Sequence, residues 1–503
     1  MSSGADVPMS KTDWIVVGAG SAGCMVAAQL AHATDSRRGL ITVVEPPGAT
    51  ARQIDRERPA NWLNLLGSSE DWNLSTQESH QLANRTIRWP RGRGLGGSSR
   101  INAMIWFPPT RKDLQMLVTA SGGSWSISKL QQDLKDLTQW TRPEPPTWQS
   151  ESSQRFLQAT NQLDEGKAGS YMRLNRSGRR WNPAELLNAA QSDGTLEVQR
   201  ATVNRLLCEG DRIIGVETWD DHGKNRIMAN RGVIICAGAI ATPGILMRSG
   251  IGPREQLQRA GIEVRLESEQ VGRGLQDHLI MPVIFQVKSD RFPSHSSVQD
   301  IARWQTMGTG PLASNLAECG GLFLDDSIQI HVTPTHYLTY PKTTDHAFMT
   351  LGVNASQPQS TGMLRLQSSD PRVPLSIHPH YLEEACDRDV TVQGMRFVRR
   401  LVKETNLSQW VVSESIPGKK RGTAQDLEKA ICRYSQTLYH PAGTSLMGTM
   451  SSSVVTPEFR LRGFQQGWVV DASVLPRLTH GNPNATVMLL AYKAAKELSK
   501  VVD

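Results

Sequence analysis

From Asp13 the chain runs Asp-Trp-Ile-Val-Val17, an apolar stretch of strand length, then Gly18-Ala-Gly-Ser-Ala-Gly23, then Cys24-Met-Val-Ala-Ala-Gln-Leu-Ala31, whose small and apolar residues suit a helix. A second apolar run, Leu40-Ile-Thr-Val-Val44, ends in Glu45. The pattern predicts a strand, a glycine turn and a helix, with a second strand beside the first. Further on, residues 196–207, 213–218 and 232–237 read as strands with turns between them, and Trp468-Val-Val470 as a short buried strand ended by Asp471. Val487–Leu498 reads as a helix with an apolar inward face, Asn482 as its N-cap and Pro483 as its first residue. Residues 113–189 and 283–433 are less periodic and contain connectors such as Thr141-Arg-Pro-Glu-Pro-Pro146.

The glycines of the first turn have separable uses. Gly18 permits the tight turn, Gly20 lets backbone amides approach a pyrophosphate, and Gly23 lets helix and strand pack closely. The helix N-terminus favours the negative charge, and Glu45 is placed to bind the hydroxyls of an adenosine ribose. A second loop, Arg91-Gly-Arg-Gly-Leu-Gly-Gly-Ser-Ser-Arg-Ile-Asn102, is too rich in glycine and hydroxyls for a helix or strand. The apolar Ala103-Met-Ile-Trp-Phe107 after it would anchor this loop against a core and a ligand.

Composition adds bounds. At 503 residues the chain exceeds the size at which one hydrophobic core stops growing, so two domains or one interleaved pair are expected. The net charge of +7 comes from 55 basic residues scattered among 48 acidic ones, without the basic block that a nucleic acid would require. Arg91 and Arg93 differ in flanking a glycine loop, where an anionic cofactor would explain them. The six cysteines are widely spaced and include no CxxC pair, which signals neither a metal site nor a disulfide framework and fits a reducing cytosol. No signal pattern opens the chain and no run of 18 apolar residues follows, so a cytoplasmic protein without a transmembrane segment is expected.

The Arg91–Asn102 loop resembles the first signature of the glucose–methanol–choline (GMC) flavoprotein oxidoreductases, and Gly238-Ala-Ile-Ala-Thr-Pro-Gly-Ile-Leu-Met-Arg-Ser-Gly-Ile-Gly252 resembles their second. Val271-Gly-Arg-Gly-Leu-Gln-Asp-His-Leu279, Gly467-Trp-Val-Val-Asp-Ala-Ser473 and Gly481-Asn-Pro-Asn-Ala-Thr486 resemble further stretches of that family, in its order. The resemblance implies an α/β fold (α+β overall). A Rossmann-like FAD-binding domain would be assembled from residues 1–112, 190–282 and 434–503. It would be interleaved with a substrate domain and lid from 113–189 and 283–433, built on an antiparallel sheet with helices. FAD contacts are implied for Gly18, Gly20, Ser21, Ala22, Gly23, Glu45, Arg93, Leu95, Gly97, Ser98, Asn102, Ala103, Met104, Ile105, Ala237, Asp471, Ala472, Asn482 and Pro483, with Val203 on the adenine side. Some family members attach the flavin through a histidine just before the asparagine of the first signature. Here Ile101 stands before Asn102, so noncovalent FAD is expected.

By the same resemblance, His440 in Leu438-Tyr-His-Pro-Ala-Gly-Thr-Ser-Leu446 and Asn482 lie together at the reactive ring. A neutral imidazole suits removal of an alcohol proton as hydride leaves carbon, and an asparagine amide can donate to the oxygen where charge develops. His480 falls two positions ahead of the family's second catalytic position and is a weaker candidate. His331 and His336 suit either substrate contact or a structural role. The expectation is an FAD-dependent oxidoreductase acting on the CH–OH group of a small-molecule alcohol, giving an aldehyde or ketone. Hydride would pass to flavin N5, with the electrons continuing to oxygen, a quinone or a carrier protein. The same fold hosts hydroxynitrile lyases and a light-driven fatty-acid decarboxylase, and a flavin-binding protein without turnover is a third class.

Overall fold

The computed structural model describes residues 9–32, 39–48, 53–163, 165–289, 297–340 and 346–500. Of the N-terminal stretch read for a signal pattern, residues 1–8 lie outside the described residues. Two seven-stranded sheets organise the chain. In the first, the strands Leu196–Arg200, Ile41–Glu45, Met9–Val17 and Gly223–Ile235 lie side by side in that order and in parallel, and Gly467–Val469 also pairs parallel with Gly223–Ile235. Arg212–Asp220 and Thr202–Glu209 extend it as antiparallel strands. The helix Ser21–His32 packs on this sheet together with the last helix, Asn484–Leu498, whose apolar side chains are almost all buried.

Three expected elements differ in detail. The strand expected over 196–207 breaks at Ala201, whose amide donates to the Glu45 carbonyl at 3.1 Å. The break swings the chain from a parallel partner to an antiparallel one. The strand expected at 232–237 starts at Gly223, because the polar Lys224-Asn-Arg226 is the second arm of a hairpin with Thr218 and its neighbours. The last helix begins at Asn484, with Pro483 as the flanking residue and no side-chain cap. Asn482 is therefore not the N-cap, because its amide is drawn into side-chain bonds described below.

The second sheet is antiparallel throughout: Val411–Ile416, Leu279–Val287, Ala347–Ala355, Ile328–Thr333, Cys319–Phe323 and Gly166–Ser170, with Gln436–Thr437 pairing the start of Leu279–Val287. Ile328-Gln-Ile-His-Val-Thr333 alternates apolar and polar residues, yet every one is buried. Its apolar half, with Val353, Met281 and Val283, joins the core under the helix Ala385–Glu404. Its polar half faces Asn482 and Tyr171. Among the described residues, no helix is long and apolar enough to cross a membrane.

Candidate active site

The two glycine loops meet backbone to backbone. Gly18 turns the chain with a φ of 97°, and a Cβ on Gly97 would stand 2.8 Å from the Cα of Gly20. Buried Glu45 ties the loops together: one oxygen accepts the Ala19 amide at 2.7 Å and the other the Gly94 amide at 3.1 Å. Burial pushes its carboxyl up, against the two amide bonds. A carboxylate has about four acceptor positions, so both oxygens can also take ribose hydroxyls. Ser21 Oγ lies 2.7 Å from Ser99 Oγ, and Ser98 Oγ accepts the Gly92 amide at 3.3 Å. Ala22 and Gly23 are buried in the first helix.

Past the second loop, Asn102 Oδ1 accepts the Met104 amide and Arg180 Nη1, each at 3.0 Å. Met104 is buried with a φ of 56°, the Ala103 carbonyl accepts Asn315 Nδ2 at 2.6 Å, and Ile105 pairs with Arg173. The Leu95 carbonyl accepts Asn182 Nδ2 at 3.1 Å. Arg93 leaves the loop, its guanidinium 4.9 Å over the Trp72 ring and its Nε donating to the Pro47 carbonyl at 2.9 Å. Ala237 precedes the helix Gly238–Arg248, whose first amide donates to Asp471 Oδ2 at 2.8 Å, and Ala472 follows. Val203 is buried two residues beyond Ala201, beside the Glu45 end of its strand.

A dinucleotide fits these loops. A Cβ on Gly20 or Gly238 would meet no atom within 4 Å, so the chain leaves open space there. The helix Ser21–His32 carries no acidic residue in its first turn, which leaves its N-terminus for an external anion.

His440 reaches this region through strand pairing. Leu279 pairs with Thr437, and the Leu438 amide donates to the His278 carbonyl at 2.8 Å, which brings the two histidines alongside one another. Tyr439, in the left-handed region with a φ of 69°, turns the chain, and Pro441 holds His440 extended. Asp277 fixes the turn: it accepts the His440 amide at 2.7 Å, Thr437 Oγ1 at 2.6 Å and the Tyr381 hydroxyl. Burial raises the Asp277 carboxyl to about 6 despite these bonds.

Side-chain bonds then assign every proton. The Ser356 carbonyl can only accept, so His278 Nε2, 2.8 Å away, donates to it. Burial holds His278 neutral, pushed down to about 4, so its Nδ1 is an acceptor. His440 Nδ1, 2.9 Å away, therefore donates to His278 and leaves the lone pair of His440 on Nε2. Asn482 Nδ2 donates to that lone pair at 3.1 Å, and Asn482 Oδ1 accepts Gln329 Nε2 at 3.5 Å. Burial, followed by the neighbouring His278, His331 and Arg91, depresses the His440 imidazole well below its ordinary range.

The structure thus brings His440 and Asn482 together, with Pro483 beside them at the start of the last helix. His480 is turned away: its Nδ1 and its amide both bond Asp113 Oδ1, at 2.7 and 3.0 Å. Asp113 closes the capping box of the helix Arg111–Ala120. His336 is half-buried against Phe348, whereas His331 is buried close to His440. His278, Asp277 and Gln329 were not among the residues expected. His278 and Asp277 lie inside the Val271–Leu279 stretch, but their roles depend on Ser356 and Thr437, which no local pattern connects to them.

Models of the GMC oxidoreductase family match residues 12–280 and 358–491. The chain belongs to the GMC oxidoreductase family. It is 30% identical to an oxygen-dependent choline dehydrogenase of Pseudomonas savastanoi pv. phaseolicola, over 97% of this chain and 94% of that protein. It is 28% identical to an alcohol dehydrogenase [acceptor] of Pseudomonas putida, over 98% and 96%. The crystal structure of pyridoxine 4-oxidase from Mesorbium loti superposes with a TM-score of 0.85 at 26% identity, covering 96% of this chain and 98% of that one. GMC oxidoreductases bind FAD, and the two glycine loops are where this chain would hold it.

Proposed function

We infer that the protein oxidises the CH–OH group of a small-molecule alcohol to an aldehyde or ketone, with noncovalent FAD. The observation that carries this reading is the unprotonated Nε2 of His440, fixed by His278 and Ser356 and holding the Asn482 amide donor at 3.1 Å. An alcohol must lose a proton from oxygen and a hydride from carbon, and an alkoxide is too basic to form unaided near neutral pH. His440 Nε2 takes the proton. Asn482 Nδ2 has a second N–H for the substrate oxygen, where negative charge grows. His278 and the Asp277-held turn keep the imidazole in place. Bound FAD supplies the hydride acceptor.

Noncovalent attachment is supported by Ile101, which has no nucleophilic atom to bond a flavin. The alcohol reading is also supported by relatives named for alcohol, choline and pyridoxine. The same proposal includes the FAD-binding unit at 1–112, 190–282 and 434–503, the substrate unit at 113–189 and 283–433, and oxygen, a quinone or a carrier protein as final acceptor. A reducing cytoplasm is supported by six free cysteines. The decisive experiment is anaerobic: an alcohol should bleach the flavin spectrum. Carbonyl release from a cyanohydrin or loss of carbon dioxide from a fatty acid, with no bleaching by any alcohol, would replace oxidation by lyase or decarboxylase chemistry.

A further inference from the structure

On the sheet face beside His440 and Asn482, polar groups are buried without partners. His331 pairs with Gly320 on one side and Gly352 on the other, so its neighbours on this face carry no side chains. Its Nε2 has no hydrogen-bond partner, and neither has Gln329 Oε1 two residues earlier or Asn354 Oδ1 opposite Gln329. Gln329 cannot rotate to relieve this without losing its bond to Asn482, which in turn holds His440. Buried polar atoms are normally paired, and leaving three unpaired on one face is costly unless a ligand completes them. Tyr171 stands over Gly320, its ring centroid 5.5 Å from that of His331, and Phe107 lies 6.0 Å from Tyr171.

The face is uncharged. Burial, with a smaller contribution from His278, pushes His331 down to about 3, so it is neutral at working pH. Ile280, whose Cδ1 would lie 2.3 Å from a Cβ on Gly352, covers the position next to His331. The buried carboxylates around the site are already engaged: Asp113 by His480 and Thr110, Asp277 by Thr437 and His440, Glu318 by Ser150 and Ser153. Asp113 stays ionised but is held by His480, so a cationic substrate would be desolvated on this face without a carboxylate of its own, and aromatic faces compensate only part of that cost.

We propose that the substrate is an uncharged alcohol carrying a second hydroxyl-type donor, which His331 and Gln329 bind while His440 and Asn482 take the carbinol. This rests on the alcohol-oxidation reading and narrows it. Gln329 Oε1 accepts from the second hydroxyl, and His331 Nε2 completes the other half of that donor–acceptor group. Choline is thereby disfavoured, although relatives are named for it.

The test uses the oxidised holoenzyme and matched probes: ethylene glycol against ethanol, glycerol against propanol, hydroxybenzyl alcohol against benzyl alcohol, and choline against its tert-butyl isostere in which carbon replaces nitrogen. Binding is followed by perturbation of the flavin spectrum, and reduction by anaerobic bleaching. The hydroxylated member of at least one pair should bind on the order of tenfold more tightly, the value of a hydrogen bond to an otherwise unpaired buried group. The neutral isostere should bind better than choline. In Gln329→Leu and His331→Leu the hydroxyl preference should collapse towards unity. Equal binding within every hydroxyl pair, or choline bound as tightly as its isostere, overturns the proposal on wild-type protein alone. If no alcohol bleaches the flavin, the oxidation reading fails while the binding order still decides the pocket.

Discussion

The Nδ1 atoms of His278 and His440 stand 2.9 Å apart, and the Ser356 carbonyl on the far nitrogen of His278 decides that His440 gives this proton and keeps its Nε2 unprotonated. His278 is a positioning residue: it touches the base and not the reacting atoms. His278→Phe keeps an aromatic ring but leaves His440 Nδ1–H buried without an acceptor. Flavin reduction should slow roughly 10- to 100-fold, matching about 1–3 kcal/mol for such a donor. The acid limb of the rate profile should move with it, because the affinity of His440 for a proton is depressed first by burial and next by His278. An unchanged rate and profile in a fully flavin-loaded His278→Phe enzyme would remove the relay.

His440→Ala should still load FAD, because the bonds that shape Gly18–Gly23, Glu45 and Gly92–Asn102 do not use the His440 side chain, which bonds His278 and Asn482. Reduction by a substrate should fall by roughly 10²- to 10⁴-fold, the usual contribution of a positioned general base. Stopped-flow absorbance of the loaded variant under anaerobic conditions measures this. Asn482→Ala should slow reduction too, and its apoprotein should melt below wild type, because Gln329 Nε2 and His440 Nε2 lose a buried partner although no helix cap is lost. A melting temperature equal to wild type would contradict those two bonds.

Gly20→Val should abolish FAD retention, because its side chain would occupy the open space at the first loop. Its apoprotein should melt near the wild-type apoprotein, since no neighbour lies within 4 Å of the added Cβ. In wild type, acid precipitation should release the flavin into the supernatant. Yellow colour retained on the denatured polypeptide would show covalent attachment.

Acid should destabilise the protein from pH 6.5 downward. His278, pushed down to about 4, and His331, to about 3, stay neutral in the fold, and His440 is depressed likewise. Between 6.5 and about 4 the unfolded chain binds protons at these positions that the folded chain does not, so stability rises with pH there and is lost on acidification. Asp277, whose carboxyl is raised by burial from 3.8 to about 6, opposes this, and so do Glu45 and Asp471, raised likewise by burial. His336 and His378, also depressed by burial, add to the other side, so five histidines outweigh three carboxylates. A melting temperature that stays flat between pH 6.5 and 5 would contradict neutral buried imidazoles.

The two strands and the glycine turn proposed to hold the cofactor were legible because each part is local: a glycine turn ends a strand, a helix starts, and Glu45 closes the next strand. His440 was legible through its short motif. The relay was not, because Ser356, His278 and Asn482 come from separate segments that only the second sheet aligns. Asn482 before Pro483 carries the local signal of a cap, and tertiary bonds to His440 and Gln329 override it. The strand Ile328–Thr333 has a clear alternation, but alternation ordinarily means one wet face. Here the polar face meets Asn482 and Tyr171 from distant segments, which no single strand can announce.

The strand Gly223–Ile235 pairs on one edge with Met9–Val17 and, near its end, with Gly467–Val469. During synthesis the first glycine loop leaves the ribosome on the order of tens of seconds before its last sheet partner, at about 5–20 residues per second. The nascent chain therefore spends most of translation with an incomplete sheet, an exposed strand edge and no base to pair with any bound flavin. A chain cut short of Gly467 lacks both the strand that completes this edge and the Asn482 that meets His440, so it should be inactive.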